Sequence, residues 1–384
     1  MKQKIFSLTG ARADYGRLKS VWEAVQKHPR LELITAVTGM HLLNKCGYTI
    51  NNIFLDGFKP DFQVDIFNEK EDGLSMTKAL GRGIVAFTDI INECKPDIIL
   101  VHGDRSEMLI PAIIGTHYNI PVAHIAGGFV TEGLVDEVVR HSLTKMSHIH
   151  FTTSRDCAVR IIKMGEEEWR VHFVGSPAID LLFNMAYESK EELFGRFQLN
   201  HEEPLLIVTS HPVTTEAEDS RDYIVELLDA LKCINIQTII TYPNIDYGSQ
   251  AIVEEIEKLD GIEPFKVVKN LSTETYLNFL RYADLMIGNS SSGFVEAPYF
   301  YLPVINIGNR QMGRQSYRNV INVDVNSKNI VEKIKEYLHN KKFRNELKKS
   351  FDYPYGKGNS SQSIAQVLAG IKIDRKLIQK KITY

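Results

Sequence analysis

Leu285-Met286-Ile287-Gly288-Asn289-Ser290-Ser291-Ser292-Gly293-Phe294-Val295-Glu296 reads as a short buried strand, a loop of small polar residues and the opening of a helix. An apolar run too short for a helix, ended by glycine and serine, is the βα step of a parallel sheet covered on both faces. The step recurs outward from here. Leu205 to Val208, Thr238 to Ile240, Phe265 to Val268 and Val304 to Ile307 belong to the same series. An earlier series runs through Lys4 to Leu8, Leu31 to Val37, Asp97 to Val101, Pro121 to Ile125, His148 to Phe151 and Val171 to Val174. The pattern predicts an α/β chain with two doubly wound, Rossmann-like domains.

Ser176-Pro177 and the polar, charged stretch from Tyr187 to Pro204 mark a connector between the series. The boundary is placed there, giving domains 1–180 and 181–384, with a last helix from about residue 360 packing back across the domains. Ligands of such sheets bind outside the carboxyl ends of the strands. Function is therefore expected in the loops that follow strands, in a cleft between the domains.

At 384 residues the chain exceeds what one core usually serves, which supports two domains. A net charge of -3 offers no general attraction for nucleic acid or an anionic membrane, so a polyanionic ligand must be met locally. Cys46, Cys94, Cys157 and Cys233 show no CxxC or metal spacing and fit a reducing cytosol. The opening MKQKIFSLTG matches neither a signal peptide nor a membrane span, and the expected location is cytoplasmic.

The serine loop is the strongest local signal. Small hydroxylated residues let backbone amides approach a diphosphate, and Ser290, Ser291 and Ser292 exceed what a simple serine N-cap requires. Glu296 follows about one turn later, where it could accept from ribose hydroxyls. No Gly-Lys-Ser/Thr is present and no GxGxxG follows the first strand, which argues against a dinucleotide. No cofactor is expected. No HExxH or DxD occurs either, and no metal is expected.

Other post-strand loops carry charge. Thr9-Gly10-Ala11-Arg12-Ala13-Asp14-Tyr15-Gly16-Arg17 delivers Arg12 and Arg17 beside Gly16 at a helix entrance, where guanidinium forks suit phosphate. A solvated turn capped by Asp14 is the equal alternative. Gly308 to Arg314 adds Arg310 and Arg314. His102-Gly103-Asp104-Arg105 offers a carboxylate that either acts on a sugar ring or pairs with Arg105. Asp136, Glu137 and Arg140-His141 follow the Gly127-Gly128 loop. In the second series, His211 could donate to a phosphate or a departing oxygen, and Asn244 lies in the loop Tyr242 to Asp246.

Taken together, TGARADYG, VTGMH from Val37 to His41, HGDR, the Gly-Gly loop with DExxRH, SHPVTTE, YPNID, GNSSSG and GNRQMGR resemble the hydrolysing UDP-N-acetylglucosamine 2-epimerases, in family order over nearly the whole chain. The resemblance implies a GT-B type fold. It implies that Arg12, His211, Ser290, Ser291, Glu296 and Arg314 contact the nucleoside diphosphate, with Glu296 on the ribose. Asp104, Asp136 and Glu137 would lie beside the sugar, oriented by Arg140, with His41 and Arg105 lining the same pocket. The implied reaction is elimination to a 2-acetamidoglucal followed by hydration, releasing N-acetylmannosamine and UDP, as in sialic acid biosynthesis. Family members are commonly dimers or tetramers, so a homo-oligomer is implied.

The chain departs from the family at Ala126 and Phe129, where many members carry acids. This shifts catalysis onto Asp104 and the Asp136-Glu137 pair, with His124 assisting. The alternatives are a UDP- or GDP-linked 2,4-diacetamido-trideoxy hexose of the legionaminic acid type as substrate, a non-hydrolysing epimerase or glycosyltransferase, and a nucleotide-sugar-binding module that has lost catalysis.

Overall fold

The computed structural model describes residues 2–44, 47–67, 73–130, 135–243, 248–269, 271–314 and 316–383. The chain divides into two compact units. The first comprises the described residues up to Val130, those from Val135 to Asn184 and those from Pro354 on; the second is centred on Met185–Tyr353. Asn244 and Asp246, singled out in the sequence, lie outside the described residues, as does Cys46.

The first unit holds a seven-stranded parallel sheet of β1 (Gln3–Thr9), β2 (Leu31–Thr38), β3 (Phe62–Val64), β4 (Ile98–His102), β5 (Val122–Ile125), β6 (Ile149–Thr152) and β7 (Val171–Phe173). Its order is β3-β2-β1-β4-β5-β6-β7, so the chain reverses direction across the sheet between β1 and β4. Alternation within the strands explains the two covered faces. Ile5, Leu100, Ala123 and Phe151 pack with Trp22 and Leu368 on one face, while Phe6, Ile99, Val101 and Val122 pack with Phe87 and Leu143 on the other.

The closing segment, expected in the second domain with its last helix packing back across, belongs to this first unit. The reason is local chemistry. The helix Ser360–Gly370 packs along the helix Arg12–Lys27, and its first amides, Ser360 N and Ser361 N, donate to the two oxygens of Asp180 at 2.9 and 2.6 Å. A carboxylate satisfying the orphan amides of a helix start ties the segment down.

The second unit holds a six-stranded parallel sheet of β8 (Leu206–Thr209), β9 (Thr238–Thr241), β10 (Phe265–Val268), β11 (Leu285–Gly288), β12 (Val304–Ile307) and β13 (Val320–Val323), in the order β10-β9-β8-β11-β12-β13. Its reversal lies between β8 and β11. β3 and β13 escaped the sequence reading. Each is a short edge strand, only partly buried, so neither shows a continuous apolar run.

Candidate active site

In the first unit, the loop after β1 enters the helix Arg12–Lys27 with Ala11 at its N-cap and no side-chain cap. Arg12, Gly16 and Arg17 are exposed, and a Cβ on Gly16 would meet nothing within 4 Å. Asp14 turns inward. Its Oδ2 accepts from Gly10 N at 2.8 Å and from Thr9 Oγ1 at 3.1 Å, clamping the loop from within while the arginines stay outside. Burial pushes its carboxyl up to about 6, against the Gly10 hydrogen bond.

Next to this loop across the switch point, Asp104 follows β4. Its partner is not Arg105, the pairing weighed from sequence, but Arg140 of the helix Val135–Met146. Arg140 is only 2% exposed and acts as a hub. Its Nε donates to Asp104 Oδ2 at 3.0 Å and its Nη2 donates to the same oxygen, while its Nη1 donates to Glu137 Oε2 at 2.7 Å and to the Phe129 carbonyl at 3.1 Å. Burial is the largest influence on Asp104 and raises its pKa, but the Arg140 charge, the Arg140 hydrogen bonds and the nearby Arg17 charge together outweigh it and hold the carboxyl below its ordinary value.

Arg105 donates instead to Glu107 Oε1 at 3.0 Å, and Glu107 is fully buried. Burial works against the Arg105 charge, yet Glu107, Asp14 and Asp136 more than restore it. Asp136 thus lies within electrostatic reach of Arg105. Glu107 was missed in the sequence; its signal was the Arg-x-Glu spacing over the turn Ser106–Met108.

Two histidines prove to be supports. His41 is fully buried between Thr9 Oγ1 at 3.1 Å and Thr49 Oγ1 at 2.9 Å, and burial lowers its pKa to about 4. It braces the loop instead of lining an open pocket. His124, considered as an assistant in catalysis, is fully buried with Nε2 on the Gly103 carbonyl at 2.7 Å, and burial lowers its pKa to about 4. As a neutral ring it pins the turn before Asp104.

Ala126 and Phe129 occupy apolar surroundings. Ala126, 8% exposed, belongs to the core cluster of Ile125 and Phe151, and Phe129 packs on it with its ring 6.5 Å from Tyr355. Ala126 takes φ +65, and Gly128 takes φ +85 with the Cys157 carbonyl 2.6 Å from where a Cβ would stand. Here the tight Gly-Gly turn is a packing requirement.

In the second unit, the chain turns sharply at Gly288, whose φ of +130 and the Thr209 carbonyl 2.1 Å from a would-be Cβ exclude any other residue. Asn289 then bridges to the loop after β8: His211 N donates to its Oδ1 at 2.7 Å and its Nδ2 donates to the His211 carbonyl at 2.8 Å. The Asn289 carbonyl accepts from Arg310 Nη1 at 3.1 Å and Gln311 Nε2 at 2.8 Å, and Asn309 Nδ2 reaches Glu216 Oε1 at 2.7 Å. Three post-strand loops are thereby locked together. Arg310, expected to face a phosphate, helps hold them.

The serines divide their work. Ser292 turns inward, 2.6 Å from the Tyr276 hydroxyl and 3.0 Å from Ser290 Oγ. Ser291 occupies the N-cap place without a side-chain cap bond, so the simple capping role is not realised there. The helix it precedes is a single turn, Ser292–Val295, followed by the 3-10 turn Ala297–Phe300. Its dipole is correspondingly small, and anion binding at this loop would rest on amides and hydroxyls. His211, Ser291, Glu296 and Arg314 are partly exposed around it.

Among the described residues no group of His, Cys, Asp or Glu could hold a metal ion, and no helix is long and apolar enough to cross a membrane. The chain can thus set two ionisable carboxylates on one buried guanidinium in the first unit, and an amide- and hydroxyl-rich anion loop in the second.

Residues 23–369 match the family model described as UDP-N-acetylglucosamine 2-epimerase. The chain is 34% identical to the UDP-N,N'-diacetylbacillosamine 2-epimerase (hydrolyzing) of Legionella pneumophila over 386 residues, covering 100% of both proteins. It is also 34% identical to a UDP-N-acetylglucosamine 2-epimerase of Neisseria meningitidis serogroup B, covering 87% of each. Its fold is similar to the crystal structure of a Neisseria meningitidis UDP-GlcNAc 2-epimerase bound to UDP-GlcNAc, with a TM-score of 0.80 at 18% identity over 95% of this chain and 99% of that one. With two parallel α/β units of the GT-B type and a family match over most of its length, the chain belongs to the UDP-N-acetylglucosamine 2-epimerase family.

Proposed function

We propose that the protein is a hydrolysing 2-epimerase that converts UDP-N-acetylglucosamine to N-acetylmannosamine and UDP. The observation that carries this reading is the Arg140 guanidinium, which holds Asp104 and Glu137 together at the carboxyl edge of the first sheet. Removing a proton from C2, which is not acidic, needs a fixed base, and releasing the nucleotide from C1 needs stabilisation of the departing diphosphate. In the elimination a carboxylate of the Asp104, Asp136 and Glu137 group takes the C2 proton as the C1–O bond breaks, leaving the 2-acetamidoglucal. Water then adds its hydroxyl to C1 while a proton is returned to C2 on the opposite face. The loop from Gly288 to Glu296, with His211 and Arg314, is assigned to the nucleoside diphosphate; Arg12 and Arg17 add positive charge.

Ionised Asp104 suits the base role, since Arg140 keeps it unprotonated near neutral pH. Packing of buried Ala126 and partly buried Phe129 in the apolar cluster supports an enzyme whose loop was repacked over one whose catalytic group was lost. Incubation with UDP-N-acetylglucosamine in heavy water should release UDP and free N-acetylmannosamine carrying deuterium at C2. Retention of the nucleotide linkage would identify a non-hydrolysing epimerase, a new glycoside a transferase, and UDP binding without turnover a binding module.

A second substrate reading is favoured by the relative matched over its full length, whose name specifies a UDP-linked diacetylated amino sugar. A comparison of kcat/KM for UDP-N-acetylglucosamine and UDP-N,N'-diacetylbacillosamine decides between them.

A further inference from the structure

Glu137 and His141 stand four residues apart on the helix Val135–Met146, so their side chains share one face. Both oxygens of Glu137 are engaged: Oε2 accepts from Arg140 Nη1 at 2.7 Å and Oε1 meets His141 Nε2 at 2.8 Å. An ionised carboxylate only accepts, so this contact places the ring proton on Nε2. The other ring nitrogen, Nδ1, is buried with no hydrogen-bond partner among the described residues.

Arg140 is itself fixed by Asp104 and by the Phe129 carbonyl. One oxygen of Glu137 is therefore anchored to a rigid group, and the rotation of the carboxylate about that anchor is set by what holds the other. We propose that His141 is a positioning residue for the reaction proposed above, holding the Glu137 carboxylate in plane so that its lone pairs, together with those of Asp104, meet the sugar in one orientation. His141 acts through Glu137 and does not touch substrate. The inference rests on the epimerase reading, and nothing in the sequence other than the DExxRH spacing announces it.

A partly buried carboxylate that loses the hydrogen bond on one of its oxygens gains rotational freedom and loses preorganisation, an effect on the chemical step more than on binding. Steady-state kinetics of His141→Ala and His141→Gln in the full chain, with UDP affinity measured alongside, test the assignment. In His141→Ala, kcat should fall about tenfold or more while KM and the UDP Kd stay within about twofold. His141→Gln, whose side-chain amide can donate to the same oxygen, should recover most of the loss. In a Glu137→Gln background, His141→Ala should have little further effect. The proposal is overturned if His141→Ala keeps wild-type kcat, if its loss appears in KM alone, or if His141→Gln is no better than His141→Ala. Absence of UDP release by the wild-type chain would instead overturn the epimerase reading.

Discussion

Arg140 grips Asp104 through two nitrogens that converge on one carboxylate oxygen, across 36 residues of sequence and from a helix to the end of a strand. The Asp104 side chain is nonetheless 34% exposed, so the carboxylate is not sealed in the core. A base needs this combination of a fixed charge and an accessible carboxylate. Asp104→Asn preserves size and removes charge. Turnover should fall by about 10²–10⁴-fold while UDP affinity stays within about twofold. Deuterium incorporation at C2 is the measurement, and near-wild-type exchange would refute the base assignment.

Asn289 makes a different kind of link, pairing with both backbone groups of His211. Asn289→Ala leaves those groups without their protein partner and should lower stability by about 1–3 kcal/mol. The loop after β8 then loses its tie to the serine loop. UDP should bind about tenfold more weakly or worse, corresponding to about 1.4 kcal/mol. Calorimetric titration of UDP checks this, and unchanged affinity would remove the loop from the nucleotide site.

Ala126 sits at φ +65, a region in which a Cβ is strained. Ala126→Gly relieves the strain and should raise stability by up to about 1 kcal/mol in chemical denaturation. Ala126→Glu would place a carboxylate among Ile125, Phe151 and Phe129, so it should destabilise the chain without raising turnover. A gain in activity from Ala126→Glu would show that the position opens to substrate.

Stability should decline in mild acid. His41, His102 and His124 are buried, and desolvation lowers their pKa values to about 4, 3 and 4. Below their ordinary value of about 6.5 the unfolded chain takes up protons that the folded chain refuses, so folding loses free energy as pH falls, by roughly 2 kcal/mol per histidine at pH 5. Asp14 acts in the opposite sense. Its pKa, raised to about 6, favours the folded state as pH falls from there toward 3.8, offsetting part of the loss. Denaturation midpoints at pH 7.5, 6 and 5 should fall in that order, and a flat series would contradict the burial of neutral histidines.

The order of βα steps, the placement of most strands and the clustering of charge in post-strand loops were readable from the chain itself. Apolar runs of strand length mark a sheet buried on both faces, and loops rich in Gly, Ser, Asn and Arg are locally distinctive. Edge strands β3 and β13 were not readable, since half-buried strands of three or four residues lack a continuous apolar signature.

Partnerships between distant residues were decided by tertiary structure alone. Sequence proximity suggested Asp104 with Arg105, whereas the fold pairs Asp104 with Arg140 and Arg105 with Glu107. Which carboxylate a guanidinium meets depends on where two strands and a helix end in space, and on which charges burial compels to pair. Tertiary packing likewise places the last helix in the first unit, where Asp180 caps it. It also turned Ala126 from an unfilled catalytic place into a core residue, because exposure is set by packing that no local pattern records.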